Sequence, residues 1–495
     1  MNLSINGKNI QAECGTMLSA YLSIDKPCGG KAKCGKCKVF SKGMLSPLTE
    51  KERQFLTEEE IKRGMRLACM TKLLGDAEIY TFETANTRIA TDGVEVQYTL
   101  NPFFNKYGLA VDIGTTTLVI GLYSFQGELL GKMGALNPQT QFGADIISRI
   151  ETVLNGQSVE LQKMIVSEIE RLAFILCEKN GINLIEIDGA VITGNTAMLY
   201  LLTKTPVDGL AHMPFSLFRP FGETITVKEL GETAFCPDMK IYIPPCVSPF
   251  IGADTTCALL TTSFWNREDR FMLVDIGTNG EMVFFDNGHM YVCSTAAGPA
   301  FEGVGISCGM RGEDGAIEHL HVENGKTYFQ IIGGKEPKGI CGSGVIDTVA
   351  YLLETEQLDE TGYMEADALL VDGVSFTCKD VRAVQLAKGA IYAGFTTLLR
   401  TVGVEPNAVD SFMIAGGFGG YIDLQNASKI GLIPNVWVPC ARILGNAAYN
   451  GAVALLLDVS MREKCASAIQ NIDVIDLSTN SMFMEEYVEG MMFKE

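Results

Sequence analysis

The chain has 495 residues, 47% of them apolar, and a formal net charge of −20. That length exceeds what one hydrophobic core serves, so two to four domains are expected, and the negative charge disfavours nucleic acid or an anionic membrane as partner. The longest apolar runs, such as 452–458, fall far short of the roughly 20 residues that span a bilayer, and no basic stretch leads into an apolar one at the N-terminus, so a cytoplasmic protein is expected.

The first element, "NLSINGKNIQAE", reads as a hairpin turning at Asn6-Gly7, and "TMLSAYLSI" (16–24) as a short helix. Next comes "CGGKAKCGKCKVF" (28–40), in which Cys28, Cys34 and Cys37 follow C-x5-C-x2-C; Cys69 comes 32 residues later. Fifteen cysteines without a secretory signal argue for reduced thiols, some ligating metal. A zinc ribbon uses two close C-x2-C pairs and this stretch offers one. Three clustered cysteines and a distant fourth fit a 2Fe–2S ferredoxin better, with one residue more than the plant-type C-x4-C-x2-C spacing. Four reduced thiols at accidental spacing, or zinc, are the competing readings. "DAEIYTF" (76–82) reads as the closing strand.

Residues 1–82 carry 13 Lys/Arg against 9 Asp/Glu, whereas the rest carries 26 against 50. Lys31, Lys33, Lys36 and Lys38 surround the cysteines. They form either a solvated loop or a surface that docks an acidic partner, which is a donor protein or the chain's own acidic remainder.

Residues 83–106 are polar without a helical period and read as a linker. "GLAVDIGTTTLVIGLYSF" (108–125) then gives strand, tight turn, strand, and "FMLVDIGTNGEMVFFD" (271–286) repeats it, with Asp275 matching Asp112 at a spacing of 163 residues. Such a repeat points to two related halves facing each other. Gly114 and Gly277 let backbone approach a polyphosphate, while Thr115, Thr116, Thr117, Thr278 and Asn279 supply donors. Each Asp, at a strand end, can hold Mg2+ through water. "FMIAGGFGGYID" (412–423) is a third glycine-rich stretch after an apolar strand, with a helix starting near Asn426. "VITGNTAMLYLL" (191–202) reads as strand, Gly-Asn-Thr, helix; "GICGSGVIDTVAYLL" (339–353) opens a helix at Gly342-Ser343-Gly344; "AAGPAFEGVGI" (296–306) is a loop holding Glu302. For these three a plain helix start or loop is as good a reading as a ligand contact. Amphipathic helices are expected over 158–181, capped by Ser158, and over 381–403 and 446–458. The 11 remaining cysteines read as small buried hydrophobes.

In this order the three glycine turns resemble the phosphate-1, phosphate-2 and adenosine motifs of the superfamily of acetate and sugar kinases, heat-shock ATPases and actin (ASKHA), two ribonuclease H-like halves closing on ATP. The resemblance implies that Asp112, Gly114, Thr115 and Thr116 meet the outer phosphates and Mg2+, that Asp275, Gly277 and Thr278 grip them from the other half, and that Gly416, Gly417 and Gly419 line the adenosine site. The implied fold is an N-terminal β-grasp 2Fe–2S ferredoxin (1–82), the linker 83–106, a first ASKHA half (107–262) and a second (263–495).

A ferredoxin ahead of an ATPase clamp, with "GLAVDIGTTT", "GNTAML", "VDIGTNGE", "TAAGPAFEG", "GICGSG" and "AGGFGG", resembles the reductive activators of corrinoid-dependent enzymes. That resemblance implies an ATP-dependent, one-electron return of a Co(II) corrinoid protein to Co(I) for methyl transfer. It also implies a 2Fe–2S cluster on Cys28, Cys34, Cys37 and Cys69, with ATP and Mg2+ as cofactors and reduced ferredoxin or flavodoxin as donor. Asp112, Asp275 and Glu281 become the catalytic carboxylates, and loop 293–303, with Ser294, the segment facing cobalt; a homodimer stays open. Many members carry a longer connecting region and small middle domain where this chain has only 83–106, which implies a shorter, simpler member. Three other readings compete: an activator of a radical dehydratase, a small-molecule kinase with a redox-sensing module, and a nucleotide-gated electron-transfer scaffold that never hydrolyses ATP.

Overall fold

The computed structural model describes residues 1–5, 8–22, 24, 30–81, 94, 96–143, 145–323, 326–334, 336–417 and 421–494. Cys28, Gly419 and the Asn6-Gly7 turn lie outside them. In the N-terminal part, β1 (Asn2–Ile5), β2 (Lys8–Gln11), β3 (Lys38–Leu45), β4 (Met65–Leu67) and β5 (Leu73–Tyr80) form one sheet ordered β2-β1-β5-β3-β4. β1 runs parallel to β5 and the other pairs are antiparallel, which is the β-grasp arrangement. Leu3, Val39, Leu67, Leu73 and Ile79 fill its core. Among the described residues of the helix expected over 16–24, the helical part is one 3-10 turn, Leu18–Ala20. The backbone N–H of Leu18 donates to Thr71 O and that of Ser19 to Ala68 O, so these donors tie down the Cys69 segment instead of a helix.

The rest of the chain builds the same sheet twice. In the first half, β6 (Tyr107–Ile113), β7 (Thr117–Ser124) and β8 (Leu129–Leu136) form an antiparallel meander. β9 (Ile187–Gly194) adds parallel to β6, β11 (Lys240–Ile243) parallel to β9, and β10 (Glu223–Thr226) closes the edge. In the second half, β12 (Phe271–Ile276), β13 (Gly280–Asp286) and β14 (His289–Thr295) form the meander. The small strands β15 (Ala316–Glu323), β16 (Lys326–Ile331), β17 (Gly339–Ile340), β18 (Ala368–Val371) and β19 (Val374–Phe376) are inserted after it. β20 (Ser411–Ala415) then adds parallel to β12, β21 (Ala441–Gly445) parallel to β20, and β22 (Ile472–Val474) parallel to β14. Leu109, Ala110 and Val111 are all fully buried, as in a strand covered on both faces. The two halves are the ribonuclease H-like pair that the repeat predicts.

Helices Ala253–Thr261 and Ala447–Leu457 cross between the sheets. Gly451 permits the crossing: a Cβ there would lie 2.0 Å from the Cys257 carbonyl oxygen. The helices expected over 158–181, 381–403 and 446–458 are Ser158–Asn180, Cys378–Val402 and Ala447–Leu457. Ser158 begins its helix, and Gln157 is the residue before it, without a side-chain cap.

The second part of the expected linker belongs to the clamp. Asn101 N donates to Leu457 O and Thr99 N to an Asp458 carboxylate oxygen, and Phe104 is buried under Gly108 and Gly189. A polar composition concealed this because the contacts come from backbone and from two aromatic residues, Phe103 and Phe104. Among the 11 other cysteines, Cys177, Cys246, Cys257, Cys293, Cys341 and Cys465 are buried as expected, whereas Cys14 and Cys378 are exposed.

Candidate functional site

A cleft of about 280 Å3 opens between the halves. The β6–β7 turn brings Asp112, Gly114, Thr115, Thr116 and Thr117 to one wall. The β12–β13 turn brings Asp275, Gly277, Thr278, Asn279 and Glu281 to the other, and Glu302, Gly342, Ser343, Gly416 and Gly417 also line the cleft; of the expected residues Ser294 does not, and Gly419 lies outside the described residues.

Each turn is locked by its own backbone: Gly114 N donates to Thr117 O at 2.8 Å, and Gly277 N to Asn279 O at 2.9 Å. The first turn is also held from behind. Asn137 Nδ2 donates to Gly114 O at 2.8 Å, Asn195 Nδ2 to Thr115 Oγ1 at 3.1 Å, and the fully buried Arg149 donates Nη2 to Thr115 O and Nε to Gly143 O. Across the cleft, Glu302 accepts from Thr116 Oγ1 at 3.0 Å and from Thr278 Oγ1 at 2.7 Å, so one carboxylate joins the two turns.

Asp112, Asp254, Asp275 and Glu281 all line this cleft. Burial, then the Asp254 charge, pushes Asp112 and Asp275 up to about 7. Asp254 itself is raised by burial to about 6, and Glu281 is raised by burial and by Asp254 and Asp275. No three metal-binding side chains converge among the described residues, so Mg2+ would be held here through its own water, and its charge would favour ionisation of these carboxylates. Gly416, at φ +95°, passes against Asp275: a Cβ there would lie 2.5 Å from Oδ1.

Two expectations change in detail. Residues 293–295 belong to β14 and not to a loop, and Ser294 sits in register with Glu281, outside the residues that line the cleft. Ser343 lines the cleft, but its hydroxyl donates to Glu318 O at 2.8 Å; the backbone at the start of helix Gly342–Glu354 is what that segment offers a ligand.

Sequence reading missed Arg149, Asp254 and Asn446, whose side chain acts against burial on the Asp112 carboxyl. Asp254 carried a faint signal: an acid in the first turn of an apolar helix, just after Gly252.

In the N-terminal part, Cys37 Sγ and Cys69 Sγ stand 3.2 Å apart, and Cys34 lies on the loop before them. The hydrogen bond with Cys69 outweighs burial and draws Cys37 down to about 6, toward the thiolate that binds iron. Among the described residues no three metal-binding side chains converge; Cys28, the fourth thiol of the expected set, lies outside them. The soft thiol pair fits an iron–sulfur centre. Glu52 anchors the Cys69 segment: fully buried, it accepts from Arg66 Nε and Nη2, Leu67 N and Thr71 Oγ1.

Comparison with known proteins agrees with this architecture. Residues 3–74 match the 2Fe-2S iron-sulfur cluster binding domain, 107–267 the RACo middle region, and 269–495 the C-terminal domain of RACo, the ASKHA domain. The chain is 36% identical over 422 residues to the corrinoid activation enzyme RamQ of Eubacterium limosum, covering 78% of this chain and 70% of that protein. The chain belongs to the family of corrinoid reductive activators. It is also 24% identical over 417 residues to the [Co(II) methylated amine-specific corrinoid protein] reductase of Methanosarcina barkeri, covering 77% of this chain and 76% of that one. A solved reductive activator for corrinoid, iron-sulfur protein superposes with a TM-score of 0.73 at 28% identity, over 99% of this chain and 98% of the other. The match to the RACo middle region coincides with the first half of the clamp. Among the described residues no helix is long and apolar enough to cross a membrane.

Proposed function

We propose that the chain is an ATP-dependent reductive activator that returns the Co(II) form of a corrinoid protein to Co(I). The 2Fe–2S cluster that Cys28, Cys34, Cys37 and Cys69 would hold supplies a one-electron carrier. The observation that supports ATP dependence most directly is the meeting of two phosphate-type turns at Glu302 beside four carboxylates, in the same chain as the thiol site.

Energy is needed because plant-type ferredoxin centres sit near about −400 mV, and each further 100 mV uphill costs one electron about 2.3 kcal/mol. A nucleotide offsets this only by binding differently to two states of the complex. The cleft walls would give such a difference: with nucleotide bound between closed halves, Thr116 and Thr278 would turn their hydroxyls from Glu302 to phosphate oxygens, and Asp112 and Asp275 would hold Mg2+ through its water. Opening separates the two sets. Corrinoid recognition is proposed from the relatives, RamQ and the methylated-amine reductase, whose names state it.

Single-turnover phosphate release tests this reading against its rivals. Release that accelerates on adding a Co(II) corrinoid protein is expected. Steady transfer to a small metabolite without that protein would support a kinase, and Co(I) formed with no phosphate released would support a scaffold that never hydrolyses ATP.

A further inference from the structure

Among the described residues, the cluster loop touches both halves of the clamp. Lys31 Nζ pairs with Glu151 Oε2 at 2.6 Å, and Lys36 Nζ lies 3.5 Å from Gly309 O. Both contacts lead inward to the cleft. Glu151 sits on helix Ile146–Leu154, and two residues earlier on that helix Arg149 supports the Thr115 carbonyl in the first phosphate turn. Gly309 immediately precedes Met310, Arg311 and Gly312, which line the opposite wall of the cleft, and Met310 N is tied to Ile340 O at 2.9 Å.

We infer that the cluster loop has a docking site shared by both walls of the clamp, so that docking of the ferredoxin part and closure of the nucleotide cleft favour each other. The charges suit such a dock, since a part with 13 cations against 9 anions rests on a remainder with 26 against 50. Its strength suits release as well as capture. The Lys31 and Glu151 side chains are 44% and 58% exposed, and ion pairs of that kind are individually weak. Movement of the halves apart would pull Glu151 away from Gly309, leaving the loop able to keep one contact but not both. Lys31 and Glu151 are thus positioning residues, acting on the nucleotide through helix Ile146–Leu154.

This inference rests on the reading of the cleft as a nucleotide site, and linkage makes it measurable. If docking tightens nucleotide binding by some factor, nucleotide tightens docking by the same factor, so a variant that abolishes the dock weakens nucleotide binding by up to that factor. The experiment is calorimetric titration of Mg–ATP into the full, cluster-loaded chain, native and as Lys31→Glu, Glu151→Lys and the double exchange.

A direct effect of charge on ATP predicts opposite shifts, weaker for Lys31→Glu and tighter for Glu151→Lys. Coupling through the dock predicts that both single variants weaken binding, by about two- to fivefold for an exposed pair, and that the double exchange restores native affinity. Amide exchange of residues 30–37 is expected to slow when Mg–ATP is added to the native chain and not to the single variants. Native binding with unchanged or oppositely shifted variants overturns the inference alone. No binding by the native chain overturns the nucleotide reading and the inference with it.

Discussion

The hydroxyl of Thr116, in the first half of the clamp, donates at 3.0 Å to the carboxylate of Glu302, in the second. Because Thr278 donates to the other oxygen of the same carboxylate, Glu302 reports directly on whether the halves are together. A double-mutant cycle of Thr116→Val and Glu302→Ala is expected to show a coupling of about 0.5–3 kcal/mol in denaturant unfolding. Additive losses would mean that the contact does not hold the halves together.

The cleft carboxylates set a pH dependence. Asp112 and Asp275 are raised to about 7 and Asp254 to about 6, above the roughly 3.9 of an unfolded aspartate. A raised folded value means that their contribution to stability, without a cation, is fully present below about pH 4. It is lost as pH rises through 6 to 7. A divalent cation binds the ionised forms, so stabilisation by Mn2+ or Mg2+ is expected to grow between pH 5 and 8. Asp254→Asn should raise the melting temperature of the cation-free protein at pH 8, change it little at pH 4, and weaken Mn2+ binding. Equal Mn2+ stabilisation at pH 5 and pH 8 would contradict this account.

Gly416 is the sharpest steric test. At φ +95°, with a Cβ position 2.5 Å from Asp275 Oδ1 and 2.9 Å from Ile276 O, Gly416→Ala strains the backbone by about 1–3 kcal/mol and displaces the Asp275 carboxylate. Lower denaturant midpoint together with adenine-nucleotide affinity reduced at least tenfold is expected. Native affinity would show that Asp275 does not need this place.

Glu52 carries the cluster segment. Burial pushes its carboxyl up, but Arg66 and the N–H groups of Thr49 and Leu67 prevail and lower it. A lowered value gives stability that is present above the ordinary glutamate range and lost as pH falls through the folded value. Glu52→Gln breaks a buried pair at a cost of about 3–5 kcal/mol, and the 2Fe–2S absorbance is expected to bleach faster on mild heating, with the native chain showing the same weakness only in acid. Unchanged bleaching would free the Cys69 segment from dependence on Glu52.

Much of this was legible because phosphate-type turns are local. A strand, an Asp, a glycine and a run of hydroxyls suffice, so Asp112 and Asp275 could be matched across 163 residues and then found at equivalent strand ends. Groups that act across the fold gave no such pattern. Thr116 and Glu302 meet over 186 positions, Arg149 reaches Thr115 from an otherwise ordinary amphipathic helix, and Asp254 lies in neither repeat. The failed helix over 16–24 belongs to the same class, since its backbone donors are claimed by Ala68 and Thr71.

The most direct test mixes reduced, cluster-loaded chain with a Co(II) corrinoid protein and follows cobalt absorbance. Co(I) should accumulate with Mg–ATP and fail to do so without it. Equal Co(I) yields in the two mixtures would contradict the account.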